Sequence, residues 1–175
     1  MKLRKIGLLA LLALAPGCAS STLYEGIQTS AVADPKTNLK AVHTYEWAIG
    51  ASIMRDTTAS WQAPNFDVND ELGFLIEKEL RDKGLRPVNK EPDVYVAFLI
   101  VANVEQAKLV RDKAGDLNLE NDSAGALVIE LMDPTSLKPV WRGAVVAPVR
   151  DDISDDQRRE RFAYAVHEVL AKLPR

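Results

Sequence analysis

Asp93-Val94-Tyr95-Val96-Ala97-Phe98-Leu99-Ile100-Val101-Ala102 decides how this chain folds. Taken two residues at a time, both alternating sets are apolar: Val94, Val96, Phe98 and Ile100 on one side, Tyr95, Ala97, Leu99 and Val101 on the other. A strand with one wet side shows apolar residues on alternate positions only, so this pattern predicts a strand in the middle of a sheet, covered on both faces. Pro87 and Pro92 bound it on the N-terminal side.

Two further strands follow it. Leu127, Ile129 and Leu131 alternate with Val128, Glu130 and Met132, the turn residues Asp133-Pro134-Thr135-Ser136 come next, and Val140 to Ala147 returns as the second arm of a hairpin. Before the central strand lies a helix. Asp67 is its expected N-cap, with Asp70 and Glu71 in the first turn, where carboxylates oppose the positive end of the helix dipole. Val68, Leu72, Leu75, Ile76 and Leu80 form one apolar stripe; Glu77 with Arg81 and Glu79 with Lys83 are spaced as ion pairs on the wet side; Gly84 ends the helix.

Upstream, His43, Tyr45, Trp47 and Ile49 alternate with Val42, Thr44, Glu46 and Ala48, predicting the first core strand. At the other end Ser154 and Gln157 have capping-box spacing, and Phe162, Ala165, Val166, Val169, Leu170 and Leu173 repeat at helical intervals. The fold class is therefore α/β (α+β). The order β-α-β-β-β-α builds a two-layer sandwich, a mixed four- to five-stranded sheet with two helices on one face. The first two strands run parallel through a right-handed crossover. Tyr95, Ala97, Leu99 and Val101 would then form an apolar patch on the other face, to be covered by the N-terminal segment, the loop after the central strand, or a partner.

The N-terminus is of a different kind. Lys2, Arg4 and Lys5 precede an apolar run from Ile6 to Leu14, and Ala15-Pro16-Gly17 leads to Cys18, the single cysteine. A run of that length suits a secretory signal and falls short of the roughly 20 residues of a spanning helix. Small residues directly before a cysteine resemble the lipobox of bacterial lipoproteins. That resemblance implies cleavage before Cys18, acylation of its sulfur and its new amine, and, with Ala19 next, transfer to the outer membrane. Ordinary signal cleavage near Gly17 or Ala19 would instead leave a soluble protein. Two or three acyl chains on one residue hold a protein to a bilayer essentially permanently.

The expected division is a signal peptide at 1–17, a tether at 18–38 rich in small polar residues, with an optional edge strand over Ile27 to Val32, and a single domain at 39–175. Without residues 1–17 the 175-residue chain keeps 158, enough for one core. Losing Lys2, Arg4 and Lys5 leaves 19 basic against 25 acidic side chains, a net of −6, which lacks the basic footprint that nucleic-acid binding requires. With Cys18 acylated no thiol remains for a disulfide, a nucleophile or a metal site.

One ordered set of short motifs runs through the chain. It comprises Asp34-Pro35 leading to Thr44-Tyr45-Glu46-Trp47, Glu79-Leu80 with Lys83-Gly84-Leu85, Pro92 to Ala97, Gly125 to Ile129 with Asp133, Trp141-Arg142-Gly143, and Leu173-Pro174. In this the chain resembles the bacterial lipoprotein family catalogued as "domain of unknown function 4136". The resemblance implies an envelope lipoprotein of α/β fold facing the periplasm, and it brings no catalytic residues with it.

Chemistry-bearing patterns are sparse. His43 and His167 are the only histidines, and there is no Gly-x-Ser-x-Gly elbow, phosphate-cradling glycine loop or His-Glu-x-x-His helix. No cofactor is implied. Asp116, Asn118, Glu120 and Asp122 alternate like the start of a calcium loop, but Asn121 stands where the turn glycine belongs and Leu127 where the bidentate Glu would be. That leaves the segment from Val104 to Ser123 as an acidic loop without a metal. Tyr45, Trp47, Trp141 and Arg142, with Trp61, combine aromatic rings and a guanidinium as recognition surfaces do, although strand aromatics more often pack a core.

Three functions are compatible with this. The first is a membrane-anchored, non-enzymatic domain that binds another envelope protein or itself through a sheet edge or the uncovered face. The second is a carrier or sensor of an apolar ligand, with that face as its pocket. The third is a hydrolase using carboxylates such as Glu46 and Glu130.

Overall fold

The computed structural model describes residues 22–56, 63–111 and 117–175, with side chains described outside 49–56, 102–111 and 117–123. Cys18, the signal segment, Trp61 and Asp116 lie outside the described residues. Among the described residues six strands and two α-helices succeed one another: β1 Gln28–Ala33, β2 Thr44–Asp56, α1 Val68–Asp82, β3 Arg86–Pro87, β4 Val94–Arg111, β5 Leu117–Met132, β6 Pro139–Pro148 and α2 Asp155–Leu170. The strands form one sheet in the order β1-β6-β5-β4-β2-β3.

The α+β class and the one-sided helices are as expected, and β4 lies at the middle beside β5. β2 and β4 run parallel across the α1 crossover, and β5 and β6 form the antiparallel hairpin. The strand count is six instead of four or five. β1, which pairs antiparallel with β6 from Gln28↔Val146 to Ala33↔Trp141, is the optional edge strand expected over Ile27 to Val32, and the one addition is the two-residue β3 at the other edge. Residues 28–33, expected within the tether, therefore belong to the sheet.

The segment from Val104 to Ser123 is also corrected. β4 and β5 stay paired from Val104↔Ala124 to Arg111↔Leu117, so most of the expected acidic loop is a long hairpin. The alternation of Asn118, Glu120 and Asp122 that resembled oxygen ligands is the two-residue period of a strand.

Register sorts the sheet into two faces. Trp47, Val96, Leu131, Trp141 and Ala33 form one row, with Phe98, Ile129, Gly143 and Ala31 in the next. This face meets Leu72, Ile76 and Leu80 of α1 and Val166, Val169 and Leu170 of α2, all fully buried, in a single core. Burying each such side chain contributes about 1.5–3 kcal/mol before entropy, so packing of this face fixes both helices.

The helix ends are set by side chains as the sequence predicts. Asp67 Oδ1 accepts from Asn69 N at 2.8 Å and Asp70 N at 3.1 Å. Gly84, at φ +84°, donates to Arg81 O while Leu85 N donates to Leu80 O, the paired bonds of a Schellman cap. Ser154 and Gln157 complete a reciprocal capping box. Arg81 pairs with Glu77 as expected, but Glu79 turns toward α2 and meets His167 Nδ1 at 3.2 Å, away from Lys83. Asp93 ties the starts of two parallel strands together: its carboxylate accepts from His43 N at 2.7 Å and Thr44 N at 2.9 Å, and its own N–H donates to Thr44 Oγ1.

Candidate functional site

The aromatic set expected to form a recognition surface is divided between the two sides of the sheet. Tyr45 and Trp141 are fully buried in the core, and Trp47 is partly buried, its indole N–H donating to Glu77 Oε1 at 3.1 Å. Trp47 also stands edge-on to Tyr45 and to Phe98. Arg142, one residue after Trp141, points to the opposite face and pairs with Glu130. The physical reason is strand alternation: consecutive residues cannot share a face. The rings serve packing.

The carboxylates considered for hydrolysis do not meet either. Glu46 lies in the row of Tyr95 on β2, Glu130 in the row of Ala97 on β5, with β4 between them. Glu130 is already engaged by Arg142. His43 donates its backbone N–H to Asp93, and His167 faces Glu79 on the far side of the helical layer. Among the described residues no group of three His, Cys, Asp or Glu side chains is placed to hold a metal ion.

Two features remain. The first is the face without helices, where the rows Ser30, Ala144, Val128, Leu99 and Val32, Arg142, Glu130, Ala97 lie side by side. Tyr95, Ala97, Leu99 and Val101 are only partly buried there, and Val32 is 73% exposed. Neither the N-terminal segment nor the segment after β4 folds over them among the described residues: the former adds a strand at the edge and the latter lengthens the hairpin.

The second feature was not legible in the sequence. Residues 22–27 form a strap that is drawn onto α2 before entering β1. Tyr24 stacks on Tyr164, ring centroids 4.3 Å apart, and its hydroxyl donates to Glu160. That hydrogen bond to a carboxylate raises the Tyr24 pKa. Arg150 donates to Thr22 O, and Arg161 donates to Leu23 O and to Pro148 O. Gly26 turns the strap at φ +77° with Pro148 against it. Under the strap, between the first half of α2 and the ends of β4, β5 and β6, is a cavity of about 120 Å³, lined by Ile27, Leu127, Val145, Phe162, Ala165 and the aliphatic ends of their neighbours. Arg158 and Arg161 line it too, one α2 face presenting 158, 161, 162 and 165 at helical spacing. Arg161 is 8% exposed, and its burial lowers its pKa.

The sequence model of a family described as domain of unknown function (DUF4136) matches residues 29–175. No curated protein matches the chain in sequence. Among solved structures, a PDZ domain protein from Parabacteroides distasonis is similar with a TM-score of 0.51 and 12% identity, over 88% of this chain and 38% of that one. The chain thus spans little more than a third of that protein, and the likeness is one of fold alone. A PelC dodecamer subunit from Paraburkholderia phytofirmans is similar with a TM-score of 0.49 and 12% identity, over 85% of this chain and 99% of that one. Lipoprotein GNA1162 from Neisseria meningitidis has a TM-score of 0.38 and 11% identity, over 74% and 98%.

Proposed function

We infer the role of this chain from one premise: it belongs to the family described as domain of unknown function (DUF4136). On our reading it is an envelope protein fastened to the outer membrane, on the periplasmic side, by acyl chains on Cys18. Its domain is a non-enzymatic binding or structural accessory that engages another envelope component or a second copy. Support for the anchor is the basic start, the apolar run from Ile6 to Leu14 and the single cysteine directly behind it.

The observation that carries the binding role is the one-sided helical layer. It leaves Leu99, Val101, Val128 and Val146 on a face that two packed helices do not reach, interrupted by the Glu130 and Arg142 pair. Exposed apolar side chains beside a charged pair are what an association surface presents. The strap supports a close attachment, because Thr22 is four residues beyond Cys18 and an extended chain of that length spans at most about 14 Å. The domain then sits against the bilayer and does not stand off on a long tether.

Metabolic labelling with a fatty acid, combined with a photocrosslinking residue at Val128 or at the exposed Phe74 of α1, tests both parts. Expected are a label on the wild type that Cys18→Ser loses, and adducts in intact envelopes from position 128 but not 74. A Cys18→Ser chain labelled as well as the wild type would remove the anchor, and adducts from position 74 alone, or from neither position, would remove the binding face.

A further inference from the structure

The geometry points to the cavity beneath the strap as a site for the tail of a single-chain amphiphile with an anionic head, a carboxylate or a phosphate monoester, the head being received by Arg161. This rests on the cavity and its charges, independently of the anchor and of the uncovered face.

The wall selects hydrocarbon. An apolar cavity of about 150 Å³ stays dry and takes up benzene, so about 120 Å³ suits roughly five or six carbons, the end of an acyl chain and not a whole lipid. The guanidinium without a bonded carboxylate selects the sign of the head. Of the three arginines that line the cavity, Arg150 is met by Asp152 through two bonds of 2.7 and 2.8 Å, and Arg158 has Asp151 at 3.9 Å. Arg161 is the most buried of them and donates only to the carbonyls of Leu23 and Pro148, with no carboxylate at ion-pair distance among the described residues.

Asp152 acts on Arg161 only at longer range, and Glu25 acts on Arg150, so Arg161 stands at an apolar wall, out of bulk water, with no carboxylate bonded to it among the described residues. A buried charge is normally paired, since desolvation penalises it heavily when alone. Carbonyl acceptors orient Arg161 without forming an ion pair with it, and a guanidinium has five donors, so it keeps capacity for an anionic oxygen. Tail and head are thus recognised by adjacent parts of one site.

The test uses Cys18→Ser protein, which is free of any acyl chain on that residue, in detergent-free buffer. Decanoate, decyl phosphate and decanol are titrated calorimetrically, below the concentrations at which they aggregate. Expected is one site that binds decanoate and decyl phosphate about ten-fold or more tighter than decanol, the effect of a charge-assisted hydrogen bond in a desolvated place. Arg161→Gln should erase that preference, bringing the ratio of anionic to neutral affinity to about one whatever happens to decanol itself, and Arg161→Lys should keep it. Ala165→Leu, which fills the cavity from α2, should weaken all three ligands about ten-fold or more. Circular dichroism and the unliganded melting temperature establish that each variant is folded. Decanol binding as tightly as decanoate, saturation by none of the three, or full binding by folded Ala165→Leu would each overturn the assignment, and the first two require no variant beyond the parent.

Discussion

Gly143 is the residue whose replacement by alanine has the most sharply defined cost. A β-carbon there would lie 2.4 Å from Cη2 of Trp141 and 2.6 Å from Cγ2 of Val169. Trp141 is 1% exposed and Val169 0%, so neither the indole nor the helix has open space to enter. Carbon atoms rest at about 3.5–4.0 Å, and the ring or α2 must therefore move by about 1 Å. Overpacking of this kind costs about 1–3 kcal/mol, against which alanine recovers about 0.5–1 kcal/mol of chain entropy in a strand. The net expectation is a loss of about 1–2 kcal/mol, or a melting temperature lower by about 2–8 °C for a domain of this size. Urea unfolding followed by tryptophan fluorescence should show a lower midpoint with an unchanged slope. The decisive comparison is a double-mutant cycle: with Trp141→Leu in place the nearer of the two obstacles is gone and Val169 alone remains, so Gly143→Ala should cost less, by a coupling of about 1 kcal/mol. Gly143→Ala as stable as the parent, or equally damaging in the Trp141→Leu background, would refute the reasoning.

Gly26→Ala places a β-carbon 2.7 Å from Cγ of Pro148 at a positive φ, and should release the strap; amide exchange over residues 22–27 is expected to accelerate while the core strands keep their protection, and unaltered exchange there would contradict the docking. The Asp93 carboxylate is held below the usual carboxylate range by the backbone N–H groups of His43 and Thr44. A depressed folded pKa means that its stabilisation is complete above about pH 4 and disappears as pH falls through the folded value. The gap in melting temperature between parent and Asp93→Asn should therefore narrow as pH falls from 7 to 3, and a gap constant across the range would rule the clasp out. Arg175 donates to the carbonyls of Leu39, Val42 and Lys83; Arg175→Ala is expected to cost about 1 kcal/mol, visible as a melting temperature lower by about 2–4 °C, and an unchanged value would show that water replaces those bonds freely.

Much of the architecture could be read from local pattern because local pattern is what sets it. The doubly apolar alternation from Val94 to Val101 does mark an inner strand, and the caps at Asp67, Gly84 and Ser154 close both helices where their chemistry requires. The two edge strands were harder. β3 is two residues long and includes Pro87, and β1 has the small, polar composition of a linker; each gains its strand character from a neighbour and not from its own residues. The hairpin arms past Val104 were obscured for a related reason: a strand rich in acidic and amide residues carries the period of a strand and the composition of a loop. The motif Trp141-Arg142-Gly143 was visible, yet its sense was misplaced. Alternation sends the ring and the guanidinium to opposite faces, and the glycine is there because the indole lies across it.

The strap and the cavity show where reading along a chain ends. Their bonds join Leu23 to Arg161 and Tyr24 to Glu160, more than 130 residues apart, and they run largely from side chain to backbone carbonyl, an acceptor that every residue owns and no sequence pattern advertises. What could have been noticed is Arg161 itself. It falls one position before Phe162 and four before Ala165, on the stripe assigned to the core, where a charged residue departs from the pattern of an amphipathic helix. Such a departure has to be resolved by partners. Here two carbonyls supply geometry, and the carboxylate that acts on Arg161 from a distance, Asp152, is bonded to Arg150, which is why the same residue both fastens the N-terminal segment and leaves free donors at the wall of an apolar cavity. If Arg161 were only a structural clamp, Arg161→Gln would loosen residues 22–27 and leave the preference for anionic over neutral ligands untouched. Measured together, strap exchange and ligand preference therefore separate the fastening role from the recognition role within one side chain.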